Sequence, residues 1–152
     1  MSVPTLKMNI PCASEFVGVV RLAVSGVASR MPFSIEEIED IKISVSEACT
    51  NSVQHAYEDK PDNGASISVT CALHPEHLEI VVEDQGKGFN VEDVKTKGKP
   101  QIEEDKMGLG LGLTFIRSLM DEMELSSDPG QGTKIKMVKY TPKNQDTAEK
   151  TA

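Results

Sequence analysis

An α+β two-layer sandwich is the fold class this sequence predicts: a mixed, mainly antiparallel sheet with three main helices on one face. Two patterns carry that reading. Apolar residues alternate with polar ones in four short segments, and they recur at helical spacing in three longer ones. The order is strand, helix, helix, strand, strand, long polar segment, helix, strand, which lacks the regular β-α-β alternation that a parallel sheet requires. A third observation sets the scale. With 152 residues, 38% hydrophobic and 26% charged, the chain suits one compact domain with a solvated surface.

Leu6, Met8 and Ile10 alternate with polar neighbours and predict a first strand stopped at Pro11. A helix follows from near Ser14. Its stripe of Val17, Val20, Val24, Val27 and Met31 is core, and Pro32 closes it. Ser34 with Glu37 three residues later is a capping box, which opens a second helix at Ile35. That helix has two faces: Ile38, Ile41, Val45, Ala48 and Ser52 on one, Asp40, Ser44, Glu47, Asn51 and His55 on the other. Asp62, Asn63 and Gly64 predict a turn. Ile67, Val69 and Cys71, then Leu78, Ile80 and Val82, predict an antiparallel hairpin broken at His74 and Pro75.

Residues 90–107 are polar, charged and non-periodic, longer than a passive connection in so small a domain, and are expected to form a mobile lid. Residues 111–125 predict a third helix through Leu113, Ile116, Leu119, Met120 and Met123, preceded by Gly108, Gly110 and Gly112. Pro129 and Gly130 turn into a last strand over 133–140. Its Lys134, Lys136 and Lys139 are expected to form a solvated stripe. The polar tail, 141–152, is expected to be flexible, leaving 1–140 as the single domain. The helix-free sheet face is either solvated or paired with a second copy.

Composition excludes several function classes. Sixteen basic against 24 acidic residues leave a net charge of −8, which opposes direct binding to a nucleic-acid backbone. No apolar run reaches membrane-spanning length. Cys12, Cys49 and Cys71 are odd in number and contain no C-x-x-C pair, so neither a disulfide framework nor a cysteine zinc site is expected. The N-terminus has no basic n-region or apolar h-region, and a cytoplasmic protein is expected. His74 and His77 flank Pro75 in a turn and read as solvent-facing, and no histidine is assigned as a metal ligand.

Four short motifs carry chemistry. Glu47 and Asn51 lie one helical turn apart on one face, where a carboxylate and an amide oxygen can converge on a magnesium ion with its water. Asp84, Gly86 and Gly88 leave the second hairpin strand in a tight turn; an ionised carboxylate accepts only, so Asp84 suits an adenine amine. Gly108, Gly110 and Gly112 uncover backbone amides before a helix, where anions such as a di- or triphosphate are favoured. Gly130, Gly132 and Thr133 enter the last strand, with a threonine hydroxyl able to reach a base edge or a water. Each has a bland counterpart: a solvated helix face, an exit turn, a hinge, an edge-strand start. Walker A, Rossmann and H-R-D kinase signatures are absent.

In this order the motifs resemble the GHKL nucleotide-binding superfamily over residues 6–140, with its Bergerat-type sandwich. More narrowly, residues 19–31 (VVRLAVSGVASRM), 37–57 (EIEDIKISVSEACTNSVQHAY) and 116–122 (IRSLMDE) resemble the anti-sigma-factor serine kinases of the RsbW type. The resemblance implies ATP and Mg²⁺ as cofactors, Asn51 as magnesium ligand and Glu47 as the catalytic base or hydroxyl-orienting residue. It implies that Asp84 reads adenine beside Gly86 and Gly88, that Gly108, Gly110 and Gly112 line the phosphates under the lid, and that Thr133 sits near the base. The implied activity is phosphorylation of a serine on a STAS-type anti-anti-sigma protein, alternating with inhibition of an alternative sigma factor by binding. A homodimer is implied, with Arg21 of the first helix contacting partners. Lys106 has no firm counterpart. Two other readings compete: an ATP-sensing anti-sigma or adaptor module without kinase activity, and a detached histidine-kinase catalytic module, for whose helical dimerisation domain the chain has no room.

Overall fold

The computed structural model describes residues 2–56, 65–91 and 104–142, with backbone alone at the start of the third helix. Strand β1 (Thr5–Pro11) leads through a short 3-10 turn at Ser14–Phe16 into helix α1 (Val17–Ala28) and helix α2 (Ile35–Asn51). Strands β2 (Ser66–Leu73) and β3 (His77–Asp84) precede helix α3 (Glu104–Leu119), strand β4 (Glu122–Ser127) and strand β5 (Thr133–Tyr140). The sheet order is β1-β2-β3-β5-β4, and every described ladder is antiparallel.

Alternation decides which sheet face is covered. Ile67, Val69, Cys71, Leu78, Ile80, Val82, Ile135 and Met137 point to one side and are buried in one cluster with Val20 and Val24 of α1, Ile41 and Val45 of α2, and Leu113 and Ile116 of α3. Burying such a side chain contributes about 1.5–3 kcal/mol, so this single core holds the two layers together. The opposite face carries Thr70, Glu79, Val81 and Lys136, and Lys136 lies 3.8 Å from both Glu79 and Glu124.

The start of α2 follows from its sequence. Ser34 Oγ accepts from the Glu37 N–H at 3.1 Å while the Ser34 N–H donates to Glu37 Oε1 at 2.9 Å, so the capping box is complete. Beyond Asn51 the helix widens into a π-helical turn over Ser52–Ala56, the kind of irregularity that often marks functional sites.

Three expectations are corrected. The third helix ends at Leu119, not Leu125: Glu122–Ser127 forms a fifth strand paired with β5. Met123 continues the helical series of Ile116, Leu119 and Met120, yet it also alternates with Leu125 as in a strand, and cross-strand pairing with Met137 and Ile135 decides between the two. The helix also starts earlier, at Glu104, so Gly108, Gly110 and Gly112 lie inside it rather than before it. Their amides fall beyond the four free N–H groups of the helix start. Finally, Lys139 is not part of a solvated stripe. It faces the helix layer, is buried, donates to the Leu119 carbonyl at 2.7 Å and lies 3.8 Å from Asp40, placing a cation at the α3 C-terminus where the helix dipole favours one.

The expected turn at residues 62–64 and residues 92–103 of the expected lid lie outside the described residues, and Glu104–Met107 at its end are helical. Thr141 is tied to the Glu76 carbonyl through its N–H at 3.0 Å. Residues 143–152 lie outside the described residues.

Candidate functional site

The C-terminal half of α2 positions the first cluster. Glu47 and Asn51 face α3 at Gly112, where an added Cβ would stand 3.1 Å from Glu47 Oε2 and 3.3 Å from Asn51 Oδ1. A side chain at 112 would press on both groups; glycine leaves that space to them. Asn51 is buried, and its Nδ2 has no hydrogen-bond partner among the described residues. A buried amide left unpaired costs about 1–3 kcal/mol, so the site is built to be completed by a polar group. A carboxylate and an amide oxygen around a cradle without a Cβ form a hard-oxygen donor set, which fits magnesium.

The second cluster forms where β3 ends. Asp84 and Thr133 are directly opposed across the β3–β5 ladder, on the helix-facing side. Asp84 is 3% exposed and held from both sides: Oδ2 accepts from Ser52 Oγ at 2.6 Å and Oδ1 from the Gly86 N–H at 2.9 Å. Ser52 follows Asn51 in the chain, so the Ser52–Asp84 bond ties the two clusters together. Thr133 Oγ1 lies 2.9 Å from Ser127 Oγ, which accepts from the Phe89 N–H and donates to the Gly132 carbonyl.

The glycine turn after β3 is braced against the turn between β4 and β5. Gly88 has φ +65° and Gly132 φ +77°. A Cβ on Gly88 would overlap the Asp128 carbonyl oxygen, and one on Gly132 the Asp84 carbonyl oxygen. Gly88 therefore serves the packing of two backbones, and Gly86 serves Asp84 through its amide.

The structure thus gathers Glu47, Asn51 and Gly112 in one place, and Asp84, Gly86, Gly88 and Thr133 in a second joined to it. Gly108 and Gly110 lie along the same helix, toward its start. Arg21 stands apart on the α1 side of α2: its Nε donates to Ser46 Oγ at 2.9 Å, and it is exposed, as are Val19 and Leu22 of the same helix. Two participants carry no local signal in the sequence. Spacing assigns Ser52 to the core face of α2, and Ser127 falls in a segment that reads as helix end and turn. Burial pushes the Cys49 thiol up to about 12 and, with the charge of Asp84 adding for Cys12, the Cys12 and Cys71 thiols up to about 11. They stay protonated at neutral pH and contribute no nucleophile. No helix among the described residues is long and apolar enough to cross a membrane.

The sequence profile of the histidine kinase-like ATPase domain matches residues 10–139, which puts the chain in that class of ATP-using domains. The serine-protein kinase RsbW of Halalkalibacterium halodurans is 41% identical over 146 residues, covering 93% of this chain and 86% of that protein. The serine-protein kinase RsbW of Bacillus velezensis is 42% identical over 144 residues, covering 91% and 87%. Among solved structures, the RsbU and RsbW domains of a Mycobacterium tuberculosis protein share the fold, with a TM-score of 0.65 at 20% identity over 90% of this chain and 32% of that one. The chain belongs to the RsbW family of serine-protein kinases.

Proposed function

We propose that the chain is an ATP-dependent serine-protein kinase that phosphorylates a STAS-type anti-anti-sigma protein and, as an anti-sigma factor, binds and inhibits an alternative sigma factor. The observation that carries this reading is the convergence of Glu47 and Asn51 on Gly112, one serine bond away from the buried Asp84. Phosphoryl transfer needs positioning and charge neutralisation more than covalent help from the protein. Asn51 Oδ1 would hold magnesium, which when bound neutralises phosphate charge. Glu47 orients the incoming serine hydroxyl and takes its proton as the oxygen bonds to the γ-phosphorus and the bond from that phosphorus to the β–γ bridging oxygen breaks, releasing ADP. Asp84 accepts from the adenine amine, with Thr133 beside the base, and Gly108, Gly110 and Gly112 leave room for the phosphates under the lid. Arg21, exposed on α1, whose Val19 and Leu22 are also exposed, is a partner contact. The same reading includes a homodimer, a role in stress-responsive transcription and a cytoplasmic location.

The test is transfer of γ-phosphate to a STAS-type partner. The expected product is acid-stable phosphoserine; nucleotide binding without any transfer would leave an ATP-sensing adaptor instead. Calorimetry on the same preparation is expected to show Asn51→Ala abolishing the magnesium-dependent part of ATP binding. Base recognition gives a separate expectation. Asp84→Asn replaces an acceptor-only carboxylate with an amide that can donate to a guanine oxygen, and it perturbs the Ser52 bond. The ATP-over-GTP affinity ratio should fall by at least about 100-fold, since sites built on a specific hydrogen bond discriminate strongly. An unchanged ratio would remove Asp84 from base reading.

A further inference from the structure

The tip of the β2–β3 hairpin holds a group of side chains that the nucleotide site does not use. Leu73 pairs with Leu78, and beyond them the His74 N–H donates to the His77 carbonyl at 3.0 Å, so Pro75 and Glu76 form a two-residue turn. That register makes His74 and His77 cross-strand neighbours. Side chains two apart on a strand share a face, so Glu79 joins His77 on the same side, the face without helices. The two imidazoles stack with centroids 4.3 Å apart and planes 11° apart. Tyr140 meets His77 edge-on at 5.8 Å and braces that ring. One ligating atom from each of His74, His77 and Glu79 falls within 4.8 Å of the other two.

We propose that His74, His77 and Glu79 form a binding site for a zinc-class divalent transition-metal ion, separate from the nucleotide site. Two imidazoles and one carboxylate are the donors such ions prefer over magnesium or calcium. A tetrahedral ion with bonds of about 2.0–2.1 Å spaces its ligands about 3.3 Å apart. Binding one ion requires the two rings to turn out of their parallel stack so that their in-plane nitrogen lone pairs converge, while the hairpin register keeps the two backbones adjacent. Glu79 can turn toward the ion: its contact with Lys136, at 3.8 Å, is longer than a hydrogen bond. Three protein ligands leave at least one coordination position open. The site lies at the His77 end of β3, seven residues from Asp84, or about 23 Å along the strand.

The experiment is calorimetric titration of the EDTA-treated, dialysed full-length chain with zinc chloride, repeated for His74→Ala, His77→Ala, Glu79→Gln and the double histidine variant. One ion per chain is expected, with each single histidine variant weakening binding at least about ten-fold, since even outer groups around a metal change affinity by 10–100-fold. Zinc should shift the imidazole resonances of His74 and His77, a reading that does not depend on any variant. ATP binding by the variants should match the parent chain. Absence of saturable zinc binding, or equal affinity in the double variant, as thiol binding would give, would overturn the proposal.

Discussion

Glu47→Gln is expected to lower γ-phosphate transfer to a STAS-type partner by about 10²–10⁴-fold, the range a positioned general base supplies, while ATP affinity stays within a few-fold. Glutamine has nearly the shape of glutamate, so it fills the same space against Gly112 and leaves the packing of α2 on α3 intact. It cannot take a proton from the serine hydroxyl. Single-turnover transfer beside calorimetric ATP binding separates the two effects. Undiminished transfer would sink the base assignment and leave Glu47 as a packing group beside Asn51.

The second large effect is on stability. Gly132→Ala should destabilise the fold by about 3 kcal/mol or more, because an L residue at φ +77° is strained and its Cβ would overlap the Asp84 carbonyl oxygen. For a domain of this size that lowers Tm by about 10 °C. Gly130→Ala provides the contrast. Gly130 has φ +80°, but no other group comes within 4 Å of the place a Cβ would take, so the change should cost only the conformational strain, about 1–2 kcal/mol. Thermal unfolding of the two variants side by side tests whether contact or backbone conformation dominates. Equal losses would mean that the turn yields around the Cβ. Because the collision is with Asp84 itself, Gly132→Ala should also weaken ATP binding in the fraction that remains folded.

The elements legible in the sequence are those whose signals are local. The capping box at Ser34 and Glu37 predicts the start of α2, and the alternation around Pro75 predicts the β2–β3 hairpin with its core face. Glu47 and Asn51 share a face by helical spacing alone. Strand β4 is not legible, since Met123 extends the helical series of α3 while its alternation with Leu125 spans only two apolar residues, and only Ile135 and Met137 across the ladder decide the matter. The extent of α3 is hidden because glycines argue locally against a helix, yet here the helix runs through them.

The roles of individual side chains divide in the same way. Spacing places His74 and His77 in a turn, but their stacking and the approach of Glu79 depend on hairpin register, which is a pairing property. Lys139 breaks the alternation of Lys134 and Lys136: the two-residue period puts it on the face of Ile135 and Met137, and the packing of α3 on that face supplies its partner, the Leu119 carbonyl. Local propensity and the order of four short motifs therefore determined the fold class and nominated the candidate site residues. Tertiary structure decided that Ser52 would bind Asp84, that Gly112 would make room for Glu47 and Asn51, and that two glycine turns would interlock. Those contacts join residues 32 or more positions apart, across distances that no window of sequence pattern can encode, because they are fixed by how the layers pack and not by how any one segment folds.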